Sequence, residues 1–144
     1  MEYKGDIKMC LSIDKDIKIK FDKTGKVTAY KLYDSGLDSK GKFFLVSIYK
    51  GQRISKPGQI TSNRKQIKLT RYEEYEGVVN RGIHVFLRKL DIVQYKMQGE
   101  LVIPVLCNKK DLIAKGTFGY CDSAVFMKAT IEKQIWDKIF SKKD

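Results

Sequence analysis

The sequence predicts an α+β domain: a mainly antiparallel twisted sheet of about six strands, with a short helix and a C-terminal amphipathic helix. Three observations lead there. Apolar runs of strand length recur with period-two alternation, one stripe of helical spacing closes the chain, and no apolar run approaches the ~18 residues of a membrane span. At 144 residues a chain buries about 68–70% of its unfolded surface, enough for one core. With only Pro57 and Pro104 as prolines and no low-complexity linker, residues 1–144 are expected to form a single domain.

Ile17, Ile19 and Phe21 alternate with Lys18 and Lys20, the pattern of a half-buried strand. Residues 22–26 carry turn chemistry, with Gly25 available for a positive φ, and residues 27–33 follow as the partner strand. A polar loop over 34–42 and a strand over 43–49 complete a predicted β-meander. Residues 51–72 hold Arg53, Lys56, Arg64, Lys65, Lys68 and Arg71 with no acidic residue, and read as loop-rich. Glu73, Glu74 and Glu76 come next and read as surface charge.

Order returns at residues 82–87, a strand in which Ile83, Val85 and Leu87 face one way and Gly82, His84 and Phe86 the other. A short helix over 89–97 precedes a strand over 101–107. Pro104 inside that strand calls for an edge or a bulge, because proline donates nothing to the ladder. A helical turn over 111–115 closed by Gly116 and a last strand over 124–129 follow. Ile131, Ile135, Trp136, Ile139 and Phe140 then form one apolar side of a helix, with Thr130 as its expected N-cap and Lys142 and Lys143 near its negative end.

Charge limits the function. Lys and Arg number 29 against 17 Asp and Glu, a net charge of +12, which favours an anionic small molecule or nucleotide, a nucleic acid, or an acidic host protein as partner. Cys10, Cys107 and Cys121 are widely spaced, and the lone His84 has no neighbour at metal-ligand spacing, so neither a metal nor any cofactor is expected. Cys10 and Cys107 read as small core hydrophobes. Unpaired thiols and an opening without a charged-then-apolar leader point to the cytoplasm and away from a membrane.

The expected activity is non-enzymatic binding of an anionic nucleotide or nucleotide-derived signal. Arg53, Lys56, Arg64, Lys65 and Arg81 are the candidate phosphate contacts, led by Arg64 in its Thr61-Ser62-Asn63-Arg64 setting. His84 is the candidate sugar or phosphate partner and Phe86 the candidate stacking ring; the competing reading keeps His84 in the core on a backbone carbonyl. The apolar C-terminal helix leaves room for a homo-oligomer.

Gly82 to Leu87, the helix through Tyr95, Val102 to Val105 and Asp122 to Phe126 resemble, in order, the ADP-ribosyltransferase pattern, with Tyr30-Lys31 or Tyr33 matching its first element. The resemblance implies an NAD-using enzyme with Tyr30, Lys31 and Asp122 near the reacting ribose. Here an aspartate stands where that family has its glutamate, and Lys31 where it has histidine or arginine. Met9-Cys10-Leu11 with the later Asn80 to Phe86 segment also resembles small accessory proteins of bacterial viruses, which implies a counter-defence role.

Overall fold

The computed structural model describes residues 10–48, 52–62, 68–98 and 100–141. In chain order the elements are β1 (Leu11–Ile13), β2 (Lys26–Leu37), β3 (Phe43–Ser47), β4 (Arg53–Ile54), β5 (Gly58–Thr61), α1 (Arg71–Glu76), β6 (Val78–Val79), β7 (Ile83–Phe86), α2 (Lys89–Val93), β8 (Leu101–Asn108), a 3-10 turn (Lys109–Asp111), β9 (Leu112–Phe118), β10 (Cys121–Phe126), β11 (Lys128–Ile131) and α3 (Lys133–Phe140). The class is the expected one: every strand pair is antiparallel, in the order β5-β11-β8-β2-β7-β10-β9-β1-β6, with β3 on β2 and β4 on β3.

Among the described residues the sheet has eleven strands, more than the six or so expected, and the first third is not a simple meander. Ile17 to Phe21 alternates as expected, yet forms no ladder; Ile19 and Phe21 pack on the core from an unpaired segment. Period-two burial specifies which side chains point inward and says nothing about whether a partner strand is present. β2 instead runs on through Leu37 and pairs with β8 over Lys26↔Asn108 to Tyr33↔Leu101, then with β3 from Tyr33↔Ser47 to Leu37↔Phe43. The sheet curls around this strand, since β4 joins the β3 side whereas β5 joins β11 beyond β8.

Alternation along β2 divides the core in two. Ala29 and Tyr33 pack with Ile103, Val105, Ile83 and Val85 on one face, where Ile135, Trp136, Ile139 and Phe140 of α3 cover them. Phe43 stacks on Phe140 at 4.5 Å there. Leu32 and Tyr30 pack with Phe86, Val102 and Ile92 on the other face, beneath α2. A third cluster of Leu11, Val79, Ile113 and Val125 continues toward the β1–β6 edge.

Several local expectations change. The expected helical turn over 111–115 lies earlier, as the 3-10 turn Lys109–Asp111, and residues 112–115 belong to β9. Gly116 is needed inside that strand because a Cβ there would fall onto the backbone carbonyl of Ser12, where β1 crosses. The run 124–129 divides between β10 and β11 at Met127. Thr130 lies in β11, so Glu132 takes the N-cap position of α3. Pro104 sits opposite Tyr30 in β8, past the end of β11, whose one bridge to β8 is Thr130↔Leu106. Lys142 and Lys143 lie outside the described residues.

Candidate anion-binding site

At the start of β2 the chain turns on Asp22. Its Oδ1 accepts from the Thr24 amide at 2.8 Å, the Thr24 hydroxyl at 2.7 Å and the Lys26 amide at 3.0 Å. The Lys26 amide bond, more than any other contact, holds the Asp22 carboxyl below the usual range. Gly25, at φ 83, closes the turn, and its carbonyl accepts from the Lys109 amide at 2.7 Å. That bond fixes the turn against the end of β8, where Asn108 caps the 3-10 turn by accepting from the Lys110 amide at 3.2 Å. The Asp111 carbonyl in turn accepts from the Met127 amide at 2.8 Å, which sets the start of β11 beside it.

These links gather three lysines around one hollow. Lys26, Lys110 and Lys128 line it together with Gln59, Asn108, Asp111 and Thr130, and its volume is about 200 Å³. Lys26 faces Asn108 across β2–β8, and Thr130 faces both Leu106 and Gln59. Among the described residues none of the three lysines forms an ion pair, and Asp111 is the single carboxylate in the lining. Cys107 also borders the hollow, but burial pushes its thiol up to about 12, so it is a protonated wall and not a thiolate nucleophile at neutral pH.

A second hollow of about 410 Å³ adjoins it, lined by Thr28, Tyr30, Leu87, Arg88, Lys89, Leu90 and Asp91. Arg88 Nε bonds the Asp91 carboxylate at 3.2 Å, which offsets the acid's charge. Lys89 and Leu90 are exposed at its rim.

Among the described residues, those singled out by sequence are not brought together. The Arg53 guanidinium lies over the Phe44 ring at 3.7 Å, and Phe44 itself fits against Gly36, where a Cβ would meet the ring. Lys56 is exposed between β4 and β5. Arg64 and Lys65 lie outside the described residues. Arg81 is not a phosphate arm: it is buried, with Nε on Glu73 Oε2 at 2.7 Å, one terminal nitrogen on Glu73 Oε1 at 2.9 Å, and the same nitrogen on the Lys68 carbonyl at 2.6 Å. Glu73 is correspondingly more than surface charge. It completes a capping box with Thr70 at the start of α1, and the Arg81 bonds hold its carboxyl below the usual range.

His84 and Phe86 face inward, and both are buried. His84 Nε2 lies 3.1 Å from the Val79 carbonyl, the core arrangement that competed with a ligand role. Phe86 is held by Tyr95 at 5.5 Å and by Phe118, edge to face, at 5.8 Å, which leaves no ring face for a base.

The NAD-directed set is divided by the sheet. Tyr30 faces the α2 side with Phe86 and Ser123, whereas Lys31, one residue on, faces the opposite side and donates to Ser47 Oγ at 3.2 Å. Asp122, adjacent to Ser123, also points away from Tyr30, and its backbone carbonyl accepts from the Leu87 amide. Tyr30 and the other two therefore cannot meet at one ribose in this fold.

The sequence reading missed Lys26, Lys110 and Lys128 because they lie far apart in the chain and meet only through the β2–β8 and β11–β8 registers. The one local signal was the lysine placement at turn ends, beside Gly25 and after Asn108. A further hollow, about 400 Å³ beside α1, carries Glu73 and Glu76 against an Arg81 already engaged, a poor setting for an anion. Among the described residues no helix is long and apolar enough to cross a membrane. No family model, curated protein or solved structure matches the chain.

Proposed function

We propose that the protein binds a phosphate-bearing ligand, a nucleotide in the simplest case, with the phosphate in the hollow of Lys26, Lys110 and Lys128, and that it does so without catalysing a reaction on it. The observation carrying this reading is the convergence of three lysines, with no ion-pair partner among the described residues, on a lining with one carboxylate. Like charges gathered this way repel one another, so a bound anion relieves the repulsion as well as satisfying the ammonium donors. Gln59, Asn108 and Thr130 supply neutral polar groups around the same space. A volume of about 200 Å³ suits a phosphate group rather than a whole nucleotide, for which pockets run to roughly 300–1,000 Å³, so the remainder of the ligand lies outside the hollow.

Calorimetric titration at low salt with inorganic phosphate and nucleoside mono- and triphosphates tests the reading. Binding of a nucleotide is expected, weakened at least about tenfold by Lys128→Glu and less by Lys56→Glu, at an exposed residue outside the lining. No binding by any of these anions, or binding indifferent to Lys128→Glu, overturns it.

A further inference from the structure

The two hollows on the α2 side of the sheet share one strand face. Lys26, Thr28 and Tyr30 alternate onto it; Thr28 lines the larger hollow and pairs with Leu106, which lines the smaller one. From Lys26 to Tyr30 the strand advances about 13 Å, at ~3.3 Å per residue. Lys26, Lys110 and Lys128 line the smaller hollow and Lys89 the larger, so the two sets offer places for two phosphates. The far hollow is differently equipped: the half-buried Tyr30 ring forms part of its wall, the exposed Leu90 side chain another, and Lys89 and Arg88 stand at its rim. Lysines together with a ring and an apolar side chain on one face match a chain of alternating phosphates and bases.

We infer that the ligand of this face is a single-stranded nucleic acid, laid along β2 with one phosphate among Lys26, Lys110 and Lys128, a base against Tyr30 and Leu90, and a further phosphate at Lys89. This rests on the anion reading of the lysine hollow and extends it by naming the ligand's class. The strand must be single because a base reaches a ring in a hollow only when it is free of its own stack. Asp91 does not oppose the second phosphate, since Arg88 already offsets it. The phosphate contacts carry no sequence information, so the backbone supplies most of the affinity.

Fluorescence anisotropy with labelled oligothymidylates and oligouridylates of two to twelve nucleotides tests it on the full chain. Affinity is expected to rise with length beyond the mononucleotide, to fall with salt at a log–log slope of about −0.7 per phosphate neutralised, and to be competed poorly by duplex DNA. The two oligomer series distinguish DNA from RNA as the preferred chemistry. Tyr30→Leu, which keeps an apolar contact with Leu32 and Phe86, should weaken the twelve-mer at least about fivefold, with Tyr30→Phe near the parent value. Lys89→Glu, on an exposed residue, should weaken the twelve-mer by a larger factor than it weakens a mononucleotide. Mononucleotide bound as tightly as the twelve-mer, equal competition by duplex, or a twelve-mer indifferent to Lys89→Glu overturns this inference while leaving the lysine hollow standing. If Lys128→Glu affects neither mononucleotide nor oligomer, the hollow itself is the error.

Discussion

Replacing Glu73 by alanine should be among the most damaging single changes outside the apolar core. The carboxylate receives both a side nitrogen and an end nitrogen of Arg81, and the two side chains are 12% and 5% exposed. Removing it takes two hydrogen bonds and the counter-charge from a guanidinium with little water around it. Losing one member of a buried pair costs about 3–5 kcal/mol, a large part of the 5–15 kcal/mol a domain has in total. For a chain near 150 residues that corresponds to a fall in melting temperature of about 6–20 °C, at ~2–4 °C per kcal/mol. Urea denaturation should show a lower midpoint at unchanged slope, and Glu74→Ala on the exposed neighbour should stay within about 0.5 kcal/mol of the parent.

Glu73→Gln adds a pH signature to the same test. The Glu73 carboxyl titrates below its unfolded value of 4.5 because Arg81 bonds its charged form. The stability it adds is complete above that value and is lost as the pH falls through the folded one. The gap between parent and Glu73→Gln should therefore be widest at neutral pH and narrow progressively below pH 4.5. A Glu73→Ala protein melting within a degree of the parent, or a gap constant from pH 7 to pH 3, would refute the claim that this pair anchors α1.

Two further outcomes follow from single contacts. Gly116→Ala should dislodge β1, because its new methyl meets the Ser12 backbone; faster amide exchange at Leu11 and Ile13, with β8 and β2 unaffected, is the expected readout. Cys107 should resist a thiol reagent at pH 8 until the protein is unfolded in urea, since the buried group ionises only near 12; prompt labelling of Cys107 in the native state would contradict its placement.

Where the sequence was legible, local physics sufficed. The Asp22–Gly25 turn, the strand at Ile83, the strand at Leu101 and the apolar side of α3 follow from turn chemistry and periodicity, which need no knowledge of the rest of the chain. Partnership was not legible. Ile17 to Phe21 alternates like a strand and stays unpaired, and Asp34 to Leu37 looks like a loop until β3 pairs with it. The candidate site suffered most from this. Reading charge density along the chain favoured residues 53–71, whereas the lysines that meet are contributed by three separated segments. Arg81 was read as a phosphate contact, and its neutralising partner Glu73 lies eight positions away in α1.

Ser12 pairs with Thr117 and Leu11 with Val79, so β1 has no neighbour until much later parts of the chain arrive. At a synthesis rate of ~5–20 residues per second, Val79 follows Leu11 by about 3–14 s and Thr117 follows Ser12 by about 5–21 s. Leu11, wholly enclosed once the strand is in place, spends that interval in water or against whatever surface it meets. Completion of this edge is thus tied to the tempo of the ribosome, and a bystander that binds apolar stretches would have its best opportunity there.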